Sequence, residues 1–343
     1  MSSIHLVTGG NGFLGHLITV RLLEAGQKVR VLDIWSDQTL PAGAEFINAD
    51  VRDPKAVAAA MEGVEVVHHN AALVPITKSG DVFQQVNVDG SRIVAQAAVK
   101  AGVKCFIHMS SSSVYGLQPC PVGITAPYAP VELYGQSKME GELAVKEECQ
   151  KVGLPLILVR PKTILGYGRL GIFQLLFEWI SEGRNVYVIG SGNSLFQFIH
   201  AADLMDAYML ALKLGRQGVY NVGAAEFGTM REALERVIQH AGTKSRVKSL
   251  PEGLSIACLK ILDQLRLSPL GPWHYLSYSK PFYYDVSHLL DLGWQPKYSN
   301  DAMMEQSYDW YLANRDTLSQ EKTGSPHRRA IKQKILRVLK WLS

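Results

Sequence analysis

The first 110 residues alternate short apolar runs with longer stretches in which apolar residues return every three or four positions. Residues 4–8 are typical of a buried strand, and Leu14, Ile18 and Leu22 follow at the spacing of one helix face. Because short connections between alternating strands and helices suit parallel strands with right-handed crossovers, the pattern predicts an α/β fold with a doubly wound, Rossmann-type sheet. Further strands are predicted at residues 29–33, 46–47, 64–68 and 105–109, and helices at 54–61 and 86–101.

The second half of the chain is less regular. Strands are predicted at residues 156–159 and 219–222, and a helix at 229–241. An apolar run occupies residues 172–180, and residues 254–267 are apolar with a helical pattern.

Composition and charge narrow the class of protein. Of the 343 residues, 47% are hydrophobic and 19% charged, which is typical of a globular chain with one large domain and a smaller lobe. The formal net charge of +4 arises at the end of the chain, where residues 322–343 hold seven Lys or Arg and no acid. The other 28 basic and 31 acidic residues do not make a basic body, so no nucleic-acid partner is expected.

Cysteine and histidine spacing predicts no metal site. The four cysteines lie far apart and form no C-x-x-C pair. His68 and His69 are neighbours on a strand and point to opposite faces. No basic n-region with an apolar h-region opens the chain, and no run of eighteen apolar residues occurs. We therefore expect a cytoplasmic protein without a transmembrane helix.

A glycine-rich turn lies between the first strand and the first helix, with the sequence Thr-Gly-Gly-Asn-Gly-Phe-Leu-Gly at residues 8–15. Its glycines allow a tight turn and let backbone amides approach a diphosphate at the helix N-terminus. Asp33 ends the second strand, where a carboxylate accepts hydrogen bonds from adenine ribose hydroxyls and repels a 2′-phosphate. Binding of NAD is therefore predicted in preference to NADP. The predicted residues of the turn are Gly9, Asn11, Gly12, Phe13, Leu14 and Gly15.

A tyrosine and a lysine lie four positions apart in Tyr134-Gly135-Gln136-Ser137-Lys138. This spacing places both side chains on one face of a helix. A free tyrosine has a pKa of about 10, and a nearby cation lowers it by roughly 1–3 units. In a chain that also has a dinucleotide motif, the pair predicts proton transfer by Tyr134 with Lys138 as the cation.

The two motifs together resemble those of the short-chain dehydrogenase/reductase superfamily. Further motifs in the same order are similar to those of its extended branch, the NAD-dependent epimerase/dehydratase family, over roughly residues 4 to 315. They are Asp-Val-Arg-Asp at 50–53, Asn-Ala-Ala at 70–72, Val-Asn-Val-Asp-Gly at 86–90, Ser-Ser-Ser-Ser-Val-Tyr-Gly at 110–116, Arg-Pro at 160–161 and Phe-Ile-His-Ala-Ala-Asp-Leu at 198–204.

The resemblance implies roles for individual residues. Ser111 falls on the position of the catalytic hydroxyl, with Ser112 as the neighbouring alternative, and Asn87 falls on a position that helps order the active site. The implied reaction is hydride transfer, in which Ser111 and Tyr134 hold the substrate oxygen and Lys138 binds the nicotinamide ribose. The residues implied to bracket the adenine are Asp50 and Val51, and those implied to line the cofactor channel are Asn70, Ala71 and Ala72.

Departures from the family pattern narrow the reaction. Ser112 and Ser113 stand where sugar 4,6-dehydratases have an Asp-Glu pair, so water elimination is not expected. Phe196 stands where nucleotide-sugar enzymes usually have an arginine for the diphosphate. Near the end of the substrate lobe another expected arginine is absent, although Lys280 remains there as a point charge.

These departures favour an NAD-dependent dehydrogenase or reductase acting on a hydrophobic, sterol-like or polyketide-like small molecule. The apolar segment 254–267 adds a resemblance to the 3β-hydroxysteroid dehydrogenase-like branch, which implies that it covers an apolar ligand. An ordinary core helix is the other interpretation of this segment. A nucleotide-sugar epimerase is the alternative, since it needs the same serine, tyrosine and lysine. A dinucleotide-binding protein without turnover is a third interpretation. The presence of Ser111, Tyr134 and Lys138 together disfavours it.

The predicted organisation has three parts. Residues 1–166 form the NAD-binding Rossmann domain, to which 194–222 return, and 167–193 with 223–315 form a smaller substrate-binding lobe. Residues 316–343 form a basic tail whose helical pattern over 328–342 has one apolar stripe, which favours peripheral attachment to an anionic membrane surface. A flexible tail or a helix packed on a partner is the alternative, and the family resemblance also implies a homodimer.

Overall fold

The structure is a computed structural model that describes residues 3–36, 40–74, 80–265 and 272–320. Eleven strands lie in this part of the chain. They are β1 (Ile4–Thr8), β2 (Lys28–Asp33), β3 (Ala44–Asn48), β4 (Val64–His69), β5 (Cys105–Met109), β6 (Leu156–Pro161), β7 (Thr163–Leu165), β8 (Val186–Ile189), β9 (Phe198–His200), β10 (Gly218–Val222) and β11 (Val247–Leu250).

The same part of the chain contains eleven α-helices. They are α1 (Phe13–Glu24), α2 (Pro54–Ala60), α3 (Ser91–Ala101), α4 (Leu133–Val152), α5 (Phe173–Ser181), α6 (Ala201–Leu214), α7 (Met230–Ala241), α8 (Glu252–Gln264), α9 (Pro272–Ser277), α10 (Ser287–Asp291) and α11 (Asn300–Gln320). A π-helical segment, Gln84–Gly90, precedes α3, and a short 3₁₀ turn, Ser112–Tyr115, follows β5.

Seven strands form one sheet in the order β10-β6-β5-β4-β1-β2-β3, with every neighbouring pair parallel. The chain runs outward from β1 through β2 to β3, then returns to β4 on the other side of β1 and continues outward. The carboxyl ends of β1 and β4 therefore flank a topological switch point, the place where α/β sheets bind ligands. The predicted fold class, a doubly wound parallel sheet, is confirmed.

The helices cover both faces of the sheet with apolar residues. On one face α1 buries Leu14, Ile18 and Leu22, which is the stripe that the sequence predicts. On the other face α3 buries Val94 and Ala98 in a second core. Because both faces are covered, the strands are mostly apolar, as is typical of parallel sheets.

A third hydrophobic core lies outside the main sheet. It is rich in aromatic side chains, including Phe173, Phe177 and Trp179 of α5, and Phe177 packs against Tyr308 and Tyr311 of α11. A two-stranded parallel pair of β8 and β11 belongs to the same region. β10, by contrast, pairs with β6 in the main sheet. The domain boundaries given above stay a prediction.

The apolar segment 254–267 is largely the exposed helix α8, and residues 266 and 267 lie outside the described residues. None of the α8 residues is buried, and Leu254, Ile261 and Leu265 expose 66%, 57% and 62% of their surface. The interpretation as a core helix is therefore wrong. Helical spacing of apolar residues indicates an apolar face, but does not show what that face contacts.

The predicted basic tail is described only at its start. Residues 316–320 are the end of α11, and residues 321–343 lie outside the described residues. Within the described ranges, no helix is long and apolar enough to cross a membrane. The predicted membrane attachment and homodimer stay predictions.

Candidate active site

A cavity of about 760 Å³ opens at the carboxyl edge of the main sheet, beside the switch point. The glycine-rich turn, the serine run after β5, the start of α4 and the loop after β7 contribute to its wall. Twelve of the predicted site residues line it: Gly9, Gly12, Phe13, Leu14, Asp33, Val51, Asn70, Ala71, Ala72, Ser111, Tyr134 and Lys138. Four do not: Asn11, Gly15, Asp50 and Asn87.

The turn between β1 and α1 is shaped for close approach. Gly9 has φ +68°, and a Cβ atom there would lie 2.7 Å from the Cα of Ala71. A Cβ at Gly15 would overlap the carbonyl oxygen of Gly9, so Gly15 allows α1 to begin close to the turn without lining the cavity. No side chain caps α1 and its first turn holds no acid. Its first N–H groups are thus available to an anionic ligand.

Asp33 lies at the end of β2, and its carboxylate accepts hydrogen bonds from two backbone N–H groups. Oδ2 accepts from the backbone N–H of Asn11 at 3.0 Å, and Oδ1 accepts from that of Ile34 at 2.8 Å. Burial raises the pKa of Asp33, and these backbone hydrogen bonds oppose the rise. The side chain of Asn11 donates to the Trp35 carbonyl at 2.6 Å. Asn11 therefore shapes the turn rather than the cavity wall.

Asp50 lies beside the cavity but not in its wall. Its carboxylate forms an ion pair with Arg52 at 2.6 Å, and Arg52 holds the pKa of Asp50 below its usual range. Of the two residues predicted to bracket the adenine, only Val51 lines the cavity. The sequence motif locates the loop, but the direction of the carboxylate is set by its neighbour two residues later.

The side chain of Asn87 forms hydrogen bonds with two segments of the chain that contribute to the cavity wall. Its Oδ1 accepts from the Leu73 N–H at 2.8 Å, and its Nδ2 donates to Ser137 Oγ at 2.9 Å. It thereby fastens the segment after β4, which contains Asn70, to the helix that carries Tyr134. Asn87 is a positioning residue, since its side chain reaches both walls and lines neither.

The structure separates the two candidate serines. A hydrogen bond with Ser111 lowers the pKa of Tyr134, against the larger rise caused by burial. Ser112 instead interacts with the buried Tyr284, whose pKa burial raises and Ser112 lowers. The Ser111 hydroxyl also accepts from Ser113 Oγ at 2.9 Å, which orients it. Ser111 is thus the serine hydroxyl that meets Tyr134.

The predicted cation, Lys138, and a further one, Arg169, line the cavity together with Tyr134. Lys138 is buried and donates to the carbonyl of Met109, at the end of β5, at 2.7 Å. Burial lowers the pKa of Lys138 to about 8. Burial raises the pKa of Tyr134, the negative charge of Glu132 adds to the rise, and the positive charge of Arg169 opposes it. Arg169, from the loop after β7, belongs to none of the sequence motifs and was not predicted.

A second residue that was not predicted is Lys162, which follows β6 directly and lines the cavity. Its amino group has no hydrogen-bond partner among the described residues and lies 2.7 Å from the ring centroid of Phe282. Burial lowers the pKa of Lys162 well below its usual range. A signal was available, because residues at the carboxyl ends of parallel strands face the ligand site.

Three buried histidines of the sheet, His5, His68 and His69, form hydrogen bonds with neighbouring side chains. His68 bonds His5 at 2.8 Å and the Tyr208 hydroxyl at 2.7 Å, while His69 bonds Thr8 at 2.8 Å. Burial lowers the pKa of His69 to about 3, so its ring is neutral. In the part of the chain that the structure describes, no three His, Cys, Asp or Glu residues are grouped to hold a metal ion.

The outer part of the cavity has aromatic walls. Phe173, Trp273 and Tyr278 line it, and the buried Phe196 packs against Tyr278 with ring centroids 5.2 Å apart. No described residue of the segment 254–267 belongs to the wall. The predicted cover over an apolar ligand therefore has no support from the described part of that segment.

The turn, the acid at the end of β2 and the serine, tyrosine and lysine around one cavity define an NAD-binding enzyme of the Rossmann fold. More particularly, a model of the NAD dependent epimerase/dehydratase family matches residues 5–223, and the chain belongs to that family. The cofactor prediction, NAD, is confirmed at the level of the family. The diphosphate of NAD fits this cavity, because the turn at Gly9 leaves no room for a side chain and has uncapped N–H groups at the start of α1.

Individual relatives differ in their activities. The chain is 42% identical to the uncharacterized protein y4nG of Sinorhizobium fredii, over 97% of this chain and 85% of that one. It is 25% identical to a 3-beta-hydroxysteroid dehydrogenase of Mycolicibacterium neoaurum, over 91% of this chain and 92% of that one. Among solved structures, the UDP-glucose 4-epimerase of Thermus thermophilus in complex with NAD aligns with a TM-score of 0.73 and 25% identity. The alignment covers 90% of this chain and 99% of that one.

The geometry of Asp33 leads to a prediction about cofactor choice. We expect Asp33→Asn to weaken NAD binding by about tenfold and to reduce the preference for NAD over NADP, because it removes the charge that repels a 2′-phosphate. Calorimetric titration of both cofactors measures this. Asp301→Asn is the matched control, because Asp301 lies on α11 outside the cavity wall. An unchanged ratio of the two affinities in Asp33→Asn would show that Asp33 does not select the cofactor.

Proposed function

We propose that this enzyme interconverts a secondary alcohol and a ketone on a hydrophobic substrate, with NAD as the hydride carrier. The observation that carries the proposal is the aromatic outer wall of the cavity, with Phe196 buried behind it at the position where the family pattern has an arginine. Without that guanidinium, this part of the site lacks the bidentate donor that recognises a diphosphate. Aromatic side chains favour an apolar substrate body.

The chain's own residues supply proton transfer and orientation. Ser111 donates a hydrogen bond to the substrate oxygen, and Tyr134 accepts the hydroxyl proton in oxidation or returns it in reduction. Bound NAD accepts or gives the hydride. Lys138 stands within the same wall, and burial has already lowered its pKa to about 8, so it can exchange a proton near neutral pH. Asn87 holds the Tyr134 helix against the segment after β4.

A nucleotide-sugar epimerase is the second candidate. It is supported by Lys162 and Arg169 in the cavity wall, since neither forms an ion pair among the described residues and both side chains can donate hydrogen bonds to a phosphate. A putative UDP-glucose 4-epimerase of Methanocaldococcus jannaschii, 25% identical over 91% of this chain, adds support. The same Ser111 and Tyr134 would serve either reaction.

A parallel substrate screen distinguishes the two candidates. We expect oxidation of hydrophobic secondary alcohols, including 3β-hydroxysterols, measured as NADH absorbance, and no interconversion of UDP-glucose and UDP-galactose. The variant Phe196→Arg is the matched test, because it restores the missing guanidinium and should lower alcohol turnover. Epimerisation of a UDP-sugar by the wild type, with no alcohol oxidised, would replace the proposal by the second candidate.

A further inference from the structure

Arg169 is a cation in the cavity without an acidic partner. Among the described residues, no carboxylate lies within 4.0 Å of its guanidinium, whereas the other cations of the cavity wall are held by a carbonyl, in Lys138, or by aromatic rings, in Lys162. The acid in the same wall, Asp33, is occupied by two backbone N–H groups. Burial lowers the pKa of Arg169 to about 10, which still leaves the guanidinium charged at neutral pH.

The position of this guanidinium is defined by two neighbours. The Cζ atom of Arg169 lies 5.3 Å from the ring centroid of Phe13, the first residue of α1. Tyr134 is close enough for its charge to act on the Arg169 guanidinium. The adjacent Gly168 has φ +76°, a conformation that favours glycine, and its own hypothetical Cβ would lie 3.9 Å from Phe13. The loop after β7 thus places Arg169 against the turn whose uncapped N–H groups face a diphosphate.

We propose that Arg169 binds the diphosphate of NAD, opposite the backbone N–H groups of the turn, and so joins the loop after β7 to the cofactor. A guanidinium forms two parallel hydrogen bonds with phosphate oxygens and is the side chain best suited to this contact. The assignment also explains why Arg169 has no acidic partner among the described residues, because the diphosphate of NAD provides the counter-charge. In the ligand-free chain the same charge acts on Tyr134 instead.

The test uses cofactor fragments that differ in the diphosphate. ADP-ribose and adenosine are titrated calorimetrically into the wild type and into Arg169→Met, Arg169→Lys and the control Arg184→Met, an exposed arginine of the same lobe. We expect Arg169→Met to weaken ADP-ribose binding by about tenfold or more and to leave adenosine binding unchanged. Arg169→Lys should lose less, since it keeps the charge, and raised salt should reduce the difference between wild type and Arg169→Met.

The assay contains no substrate, so its result does not depend on the proposed alcohol–ketone reaction. Equal affinity of the wild type and Arg169→Met for ADP-ribose would overturn the assignment. Equal loss of adenosine and ADP-ribose binding in a variant with an unchanged melting temperature would also overturn it, because the effect would then not depend on the diphosphate. Melting temperatures of the ligand-free proteins provide the second readout, and we expect them to agree, since Arg169 has no acidic partner to lose.

Discussion

Tyr134→Phe is expected to reduce turnover by roughly 10²–10⁴-fold and to leave NAD affinity unchanged, because it removes the proton-transferring hydroxyl but keeps the ring. In the alcohol-oxidation direction the wild-type rate should rise with pH as Tyr134 loses its proton. Burial raises the pKa of Tyr134, and Ser111 and Arg169 oppose this, so the rise is expected on the alkaline side. The rise should be absent in Tyr134→Phe.

Steady-state kinetics across pH, on the substrate found in the screen, measures this effect. Tyr167→Phe is the matched control, since Tyr167 is 58% exposed and lies outside the cavity wall. The prediction applies to both candidate functions, because both require proton transfer at the substrate oxygen. Turnover of Tyr134→Phe within the range of the control would remove Tyr134 from the mechanism.

Glu142→Gln is expected to lower the free energy of unfolding by about 3–5 kcal/mol, since it leaves a buried guanidinium without its counter-charge. Glu142 and Arg160 are 0% and 2% exposed, and Arg160 Nε donates to Glu142 Oε1 at 2.8 Å. Arg160 also lies over the Tyr115 ring at 4.7 Å, and its Nη2 donates to the Tyr128 hydroxyl at 2.8 Å. The pair therefore joins α4, β6 and the loops after β5.

Urea unfolding followed by circular dichroism measures the change. Glu147→Gln is the control on the same helix, because Glu147 is 53% exposed and its ion pair with Arg92 lies in solvent, where such pairs contribute little. Burial raises the pKa of Glu142, but the hydrogen bonds and charge of Arg160 outweigh this and lower it. The contribution of the pair should therefore be lost as the pH falls through the folded-state pKa of Glu142. Equal effects of the two variants would contradict the prediction.

Features that depend on local pattern were predictable from the sequence. The alternation of strands and helices specified the parallel sheet, since strands covered on both faces must be apolar throughout. The turn at Gly9 and the acid at Asp33 were recognisable because backbone geometry at a strand–helix junction restricts which residues fit. Tyr134 and Lys138 were found because a four-residue spacing fixes their common helix face.

Features that depend on contacts between distant segments required the tertiary structure. The sequence by itself determined the fold class, the dinucleotide turn and the tyrosine. The fold decided that Ser111 rather than Ser112 meets Tyr134, that Arg169 joins Lys138 in the same cavity wall, and that α8 is exposed. The physical reason is that charge and burial act through space, so residues 35 positions apart in the chain, such as Tyr134 and Arg169, interact only once the fold brings their side chains to one cavity.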